Sequence, residues 1–191
     1  MMKNNKADNA RPASRAFSYD SQRKRVPCLK VHLVFWAIVI AGVGLDLWTK
    51  NAVFNWLSEG YSYTVIDGCL DIVRLENPGA AFGMAAGKTK MLIFVSVFAL
   101  IAVLAVFFIS GRDRIITHIG YAFFVAGIFG NLYDRLFNDG MVRDFIDVYC
   151  GEKHWPAFNV ADSMLCIAVG LLLLSTLLSE MPGLKRDQQQ K

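Results

Sequence analysis

Apolar residues gather into four runs along this chain: Val31–Trp48, Met91–Ser110, Ile115–Leu132 and Val160–Ser179. Each has about the 17–25 residues that a helix needs to cross a bilayer. The second run carries no charge, and the fourth is interrupted only by Asp162 near its start. Lipid offers the backbone no hydrogen-bond partner, so such runs predict helices. The first run is not read as a cleaved signal peptide. It ends in Leu45-Asp46-Leu47-Trp48, without a small-residue cleavage site.

Between the first two runs the period changes. Tyr61–Ile66 and Cys69–Leu75 flank Asp67-Gly68 and read as two strands around a two-residue type I′ turn. Trp56, Tyr61 and Tyr63 suit the headgroup region. The expected fold is an all-α polytopic membrane protein, four transmembrane helices with a small periplasmic β-hairpin or cradle in the first outer loop. Residues 1–30 form a basic cytoplasmic tail that is expected to be disordered, residues 31–179 the membrane domain, and residues 180–191 a polar cytoplasmic tail.

Composition excludes an ordinary soluble domain: 54% of the 191 residues are hydrophobic, 19% are charged, and mean hydropathy is +0.37. Charge placement orients the spans. Thirteen of the twenty Lys and Arg lie in the N-terminal tail, the Arg112/Arg114 turn and the C-terminal segment, and seven lie in the two longer loops. This bias puts both termini in the cytoplasm and both longer loops outside. Of the four cysteines, Cys28, Cys69, Cys150 and Cys166, no two form a C-x-x-C, and no His cluster accompanies them, which argues against zinc. Cys69 and Cys150 fall on the same outer side, where a disulfide between them stays open.

Acids crowd the stretch from Gly127 to Asp162, where the chain meets hydrocarbon. An Asp there costs roughly 2.5–3.5 kcal/mol on insertion scales, so it calls for an explanation. Asp46 and Lys50 are one helical turn apart and can pair, most simply as an interfacial snorkelling pair. Asn77-Pro78-Gly79 is a polar turn whose amide can bind a peptide main chain. Gly127 and Gly130 permit a close helix approach. Asn131, Asp134 and Arg135 share a face, and Asp134–Arg135 reads more readily as a structural clamp than as catalysis. Asn159 suits the N-cap of the fourth span, with Asp162 at N3 in a capping-box arrangement. Asp144 lies in the preceding segment, within reach of Asp162. Two adjacent carboxylates cannot both ionise cheaply. One keeps a proton and the other can act as base on a water. No Ser–His or Cys–His arrangement competes for that role.

Five blocks in order carry a resemblance: Asp46-Leu-Trp-Thr49-Lys50, Asn77-Pro-Gly79-Ala-Ala81-Phe82, Gly127-Ile-Phe-Gly130-Asn131-Leu-Tyr-Asp134-Arg135, Val142-Arg-Asp144-Phe145 and Phe158-Asn159-Val-Ala161-Asp162. With four spans, the chain resembles signal peptidase II, the lipoprotein signal peptidase of bacteria, over roughly Val31 to Leu178. The resemblance implies an aspartyl endopeptidase of the inner membrane. Such an enzyme cuts prolipoproteins on the N-terminal side of a diacylglyceryl-modified cysteine. It implies that Asp144 and Asp162 are the catalytic pair. Asp46, Lys50, Asn77, Gly79, Asn131, Arg135 and Asn159 would shape the site or contact substrate and the antibiotic globomycin. Leu47 stands where the family often has Gln, and Ala126-Gly127 where Gly-Gly is common. No metal or organic cofactor is expected. The expected partners are modified prolipoproteins and membrane lipids, with no nucleic acid, and the chain is expected to be a monomer.

Two other classes remain open. A proton-coupled transporter or channel would place acids at mid-span, whereas Asp46, Asp144 and Asp162 gather at one boundary. A non-enzymatic scaffold would tolerate Asp162→Asn, since Asn also caps helices well.

Overall fold

The computed structural model describes residues 27–79, 85–110 and 115–180. Among the described residues, four helices are long and apolar enough to cross a membrane: α1 (Leu29–Trp56), α2 (Thr89–Ile109), α3 (Ile115–Phe137) and α4 (Val160–Glu180). The basic tail up to residue 26, the Arg112/Arg114 turn, residues 80–84 of the Asn77 block and the last eleven residues lie outside the described residues.

The helices are not equivalent. α3 packs against each of the other three and is the axis of the bundle. In its most apolar window 56% of residues are buried, against 6% for α2. α2 instead turns Phe94, Phe98 and Ile101 outward, as suits a helix whose partner is lipid. At one end Phe35 of α1 stacks on Phe107 of α2 at 3.8 Å, over Val39, Ala122 and Val125. Toward the other end the packing side chains shrink to Ala126, Ala161 and Met164, and the backbones close up. A Cβ on Gly127 would stand 2.6 Å from the Ala161 carbonyl oxygen, and one on Gly130 would strike the Asp46 carboxylate. Small residues at helix contacts allow this approach.

The all-α expectation needs correction. The hairpin between the first two spans, β1 (Ser62–Ile66) and β2 (Leu70–Asn77), is half of a four-stranded antiparallel sheet completed by β3 (Val142–Cys150) and β4 (Lys153–His154), in the order β1-β2-β3-β4. β3 has a strand signature: nine residues rich in β-branched and aromatic side chains, between Gly140 and Gly151. Its partner lies about seventy residues away, with Leu75 opposite Asp144 and Asn77 opposite Val142.

The hairpin turn also differs. It has three residues, Asp67–Cys69, closed by the Cys69 N–H on the Ile66 carbonyl at 3.0 Å. Only Gly68 takes a positive φ, +74°, whereas a type I′ turn needs two such residues. All four cysteines are free thiols. The Cys69 carbonyl accepts the Tyr149 N–H, so strand alternation sends Cys150 to the other face.

α1 also outruns its apolar stretch, continuing from Trp48 to Trp56. Two devices explain this. Asp46 and Lys50 are buried rather than exposed, and Arg74 of β2 donates to the Phe54 and Leu57 carbonyls at the helix end.

Candidate functional site

Where the sheet meets the ends of α1, α3 and α4, three asparagines determine the geometry. Each has its oxygen claimed by a group that can only donate, so its amide nitrogen must point the other way. The Asn131 oxygen accepts from the Lys50 ammonium at 3.1 Å, which turns its Nδ2 onto Asp162 Oδ1 at 2.8 Å. The Asn77 oxygen accepts the Gly79 N–H at 2.9 Å, which turns its Nδ2 onto Asp144 Oδ2, also at 2.9 Å. The Asn159 oxygen caps α4 by accepting the Asp162 N–H at 3.0 Å, which turns its Nδ2 onto Asp144 Oδ1 at 2.7 Å and toward Asn131 Oδ1 at 3.1 Å.

The capping box read from the sequence is present in both directions. The Asn159 N–H donates back to Asp162 Oδ2 at 3.2 Å. Asp144, on β3, and Asp162, in the first turn of α4, are thus tied through Asn159. Both line one cavity of about 610 Å³ together with Asn77, Asn131, Arg135, Trp155, Phe158, Ser163 and Cys166. Burial, with the nearby Asp162 charge, pushes Asp144 up to about 6, against the opposing pull of the Asn77 and Asn159 hydrogen bonds.

Behind these acids lies a sealed ionic cluster, and here two sequence readings are corrected. Asp46 and Lys50 are not a snorkelling pair: both are fully buried, 2.8 Å apart. Asp134 is not clamped to Arg135. Neighbours on a helix point about 100° apart, and Asp134 instead pairs with Arg143 at 2.6 Å and Lys50 at 3.2 Å. Arg135 turns to the cavity and donates to the Gly79 carbonyl at 2.9 Å, which anchors the Asn77–Gly79 turn. Asp46 also accepts the Ala161 N–H at 2.8 Å, so α1 and Asn159 together satisfy the start of α4.

Of the residues singled out from the sequence, Asp46, Lys50, Asn77, Gly79, Asn131, Asp134, Arg135, Asp144, Asn159 and Asp162 all meet at this end of the bundle. Arg143 belongs with them and was overlooked. Strand alternation around Asp144 would have put it on the opposite face, toward the helices. Among the described residues no group of His, Cys, Asp and Glu is suited to hold a metal ion.

Comparison with known proteins gives the family and the fold. The family model described as signal peptidase (SPase) II matches residues 38–178. A lipoprotein signal peptidase of Geobacter sulfurreducens is 40% identical over 151 residues, 77% of this chain and 93% of that protein. One of Syntrophus aciditrophicus is 44% identical over 138 residues, 68% of this chain and 82% of its own length. A solved bacterial membrane enzyme superposes with a TM-score of 0.72 at 28% identity, covering 83% of this chain and 96% of its own.

Proposed function

Because this chain belongs to the signal peptidase II family, we propose that Asp144 and Asp162 are the acids with which it cuts its substrate. The family activity is the activity of this chain: a membrane protease that removes the signal peptides of prolipoproteins. The observation that carries the assignment of the pair is the set of oriented asparagine amides. Neutral donors hold two carboxyl groups in one cavity without fixing the charge of either.

Charge supports the reading. Lys50, Arg135 and Arg143 are three cations among four acids, Asp46, Asp134, Asp144 and Asp162. One proton on the Asp144–Asp162 pair brings the cluster to neutrality. In the working form one acid takes a proton from a water as that water attacks the scissile carbonyl. The other donates a hydrogen bond to the carbonyl oxygen and then supplies the proton that the departing amine needs. Low dielectric strengthens both interactions once substrate fills the cavity. This mechanism uses no metal or organic cofactor.

The substrate bond lies on the N-terminal side of a diacylglyceryl-modified cysteine, whose acyl chains stay in lipid while the signal helix enters laterally. The Leu165-Cys166-Ile167 stretch of α4 lies on the cavity wall, with Cys166 and Ile167 exposed, and suits an apolar helix arriving from the bilayer. The Lys and Arg bias favours cytoplasmic termini and a sheet and site on the outer face of the inner membrane. The test is to change Asp144 and Asp162 singly to Asn and follow cleavage of a diacylglyceryl-modified prolipoprotein by the purified chain. We expect kcat to fall about 10³- to 10⁴-fold in each variant. Turnover within tenfold of wild type by either variant removes the pair. It would leave the scaffold reading, in which Asn159 and Asp162 only cap.

A further inference from the structure

Arg143 touches no reacting group in the mechanism above, yet it ties three elements together. Val142 and Asp144 line the cavity, so Arg143 between them projects from the other face of β3. Its Nε and Nη2 both reach Asp134 Oδ1, at 3.1 and 2.6 Å, and its main-chain N–H donates to Asp134 Oδ2 at 3.0 Å. Nη1 donates to the Asn51 side chain of α1. The guanidinium stands 5.9 Å from the centre of the Phe54 ring, which also faces Arg74 at 5.0 Å.

We propose that Arg143 is a positioning residue, clamping β3 to α3 and α1 behind the cavity so that the Asp144 carboxyl and the Asn131 amide keep their places. The inference rests on Asp144 and Asp162 being the reacting pair.

Two routes connect Arg143 to that pair. The first is direct. Asn159 Nδ2 lies 3.3 Å from the Arg143 carbonyl and 2.7 Å from Asp144 Oδ1, so the α4 cap reads the position of this stretch of strand. A strand that slides relative to α3 carries the carboxyl off its two amide donors. The second runs through charge. Asp134 Oδ2 is shared by the Arg143 N–H and the Lys50 ammonium, which sits 3.2 Å away. With the guanidinium gone, Asp134 draws harder on Lys50, which then leaves the Asn131 oxygen. Asn131 loses the donor that fixes which way it faces, and its amide loses its aim at Asp162. The tight link after α3 makes this coupling available. Asn138 and Met141 N–H bonds close the turn, with positive φ at Asp139 and Gly140, and bring β3 back beside the helix it just left.

The charged groups around Arg143 are Asp134 on α3, Lys50 with Asp46 behind it on α1, and Glu76 and Arg74 on β2, where Glu76 is the register partner of Arg143. Asp144 follows on its own strand, and Asp162 and Arg135 complete the cavity side. Removing a cation from this set disfavours ionisation of the reacting pair, so the singly protonated form persists to higher pH.

The experiment uses the purified full chain in detergent with a diacylglyceryl-modified prolipoprotein, and measures kcat, KM and the pH profile of kcat/KM for Arg143→Met and Arg143→Lys. Met keeps the apolar stem without the fork. We expect its kcat to fall about tenfold, the low end of what misplacing a reacting group costs, with KM within about twofold. The alkaline limb of its profile should move up by about half a pH unit. Lys should bring the limb back but restore kcat only in part, since an ammonium cannot fork. The proposal is overturned by an unmoved limb in the Met variant, whether kcat holds or falls with a lowered melting temperature. It is also overturned by wild-type kcat in the Lys variant. Activity remaining in Asp144→Asn would instead remove the reading of the pair.

Discussion

Two pairs of aspartates gather at one end of the bundle, and they meet opposite company. Asp46 and Asp134 are fully buried and face cations, Lys50 for both and Arg143 for the second. Asp144 and Asp162 face a cavity, and the polar groups that hold them are three asparagine amides and one main-chain N–H. Cations commit an acid to holding structure. Amides fix the position of a carboxyl group but leave its proton free to come and go. The difference between a structural carboxylate and a reactive one lies here in the partner, not in the acid.

The strongest way to break this contrast is to treat the two pairs alike. Asp144→Asn or Asp162→Asn should abolish most turnover, about 10³-fold or more, while the chain still folds and melts cooperatively. Asp134→Asn should do the reverse damage. It leaves Lys50 and Arg143 without their common counter-charge, and breaking a buried pair costs about 3–5 kcal/mol. Thermal unfolding in detergent should show a large loss for Asp134→Asn alone. If Asp134→Asn melts like wild type, the sealed cluster is not what holds α1, α3 and β3 together.

A smaller effect concerns pH. Burial lifts Asp144 to about 6, so between about pH 4 and that value the folded chain keeps a proton that the unfolded chain has released. The contribution of this group to stability is therefore present below about pH 4 and is lost as pH rises toward 6, by at most about 3 kcal/mol. In Asp144→Asn that slope should vanish from a series of melting curves. The same group should place the alkaline limb of kcat/KM near 6 in the free enzyme. The limb of kcat itself should lie higher, because substrate excludes water and favours the uncharged acid.

Much of this contrast was legible in the sequence, and its gaps have physical causes. The spans follow from run length, and the Asn159–Asp162 cap from residue type and spacing, since both are local. The corrected readings concern partners. Lys50 looked like an interfacial side chain because the sequence shows its neighbour Asp46 but not Asn131 and Asp134, which cover it from α3. Asp134 was assigned to Arg135 by adjacency, although adjacent helical side chains diverge and the closing partner lies across a tight turn on β3. β3 falls in what the sequence shows as a loop, because its ladder with β2 joins segments far apart in sequence. Once that ladder is known, Arg143 and Asp144 separate to opposite faces, and with them the structural and reactive halves of the site.

The mildest test asks whether closeness of acids is enough by itself. Asp71 and Asp147 are register partners on β2 and β3, directly opposite one another. Yet each has its own donor: the Tyr149 hydroxyl reaches Asp71 at 3.3 Å, and the His154 ring meets Asp147 at 2.9 Å. His154 is half exposed, at 53%, so water screens this pair in a way the cavity does not screen the other. The sheet tolerates the arrangement. Asp147→Asn should therefore change kcat by less than about twofold and stability by at most about 1 kcal/mol, the scale of a contact with a half-exposed partner. A loss of turnover in Asp147→Asn comparable to that in Asp144→Asn would mean that the amides are not what sets the reactive pair apart.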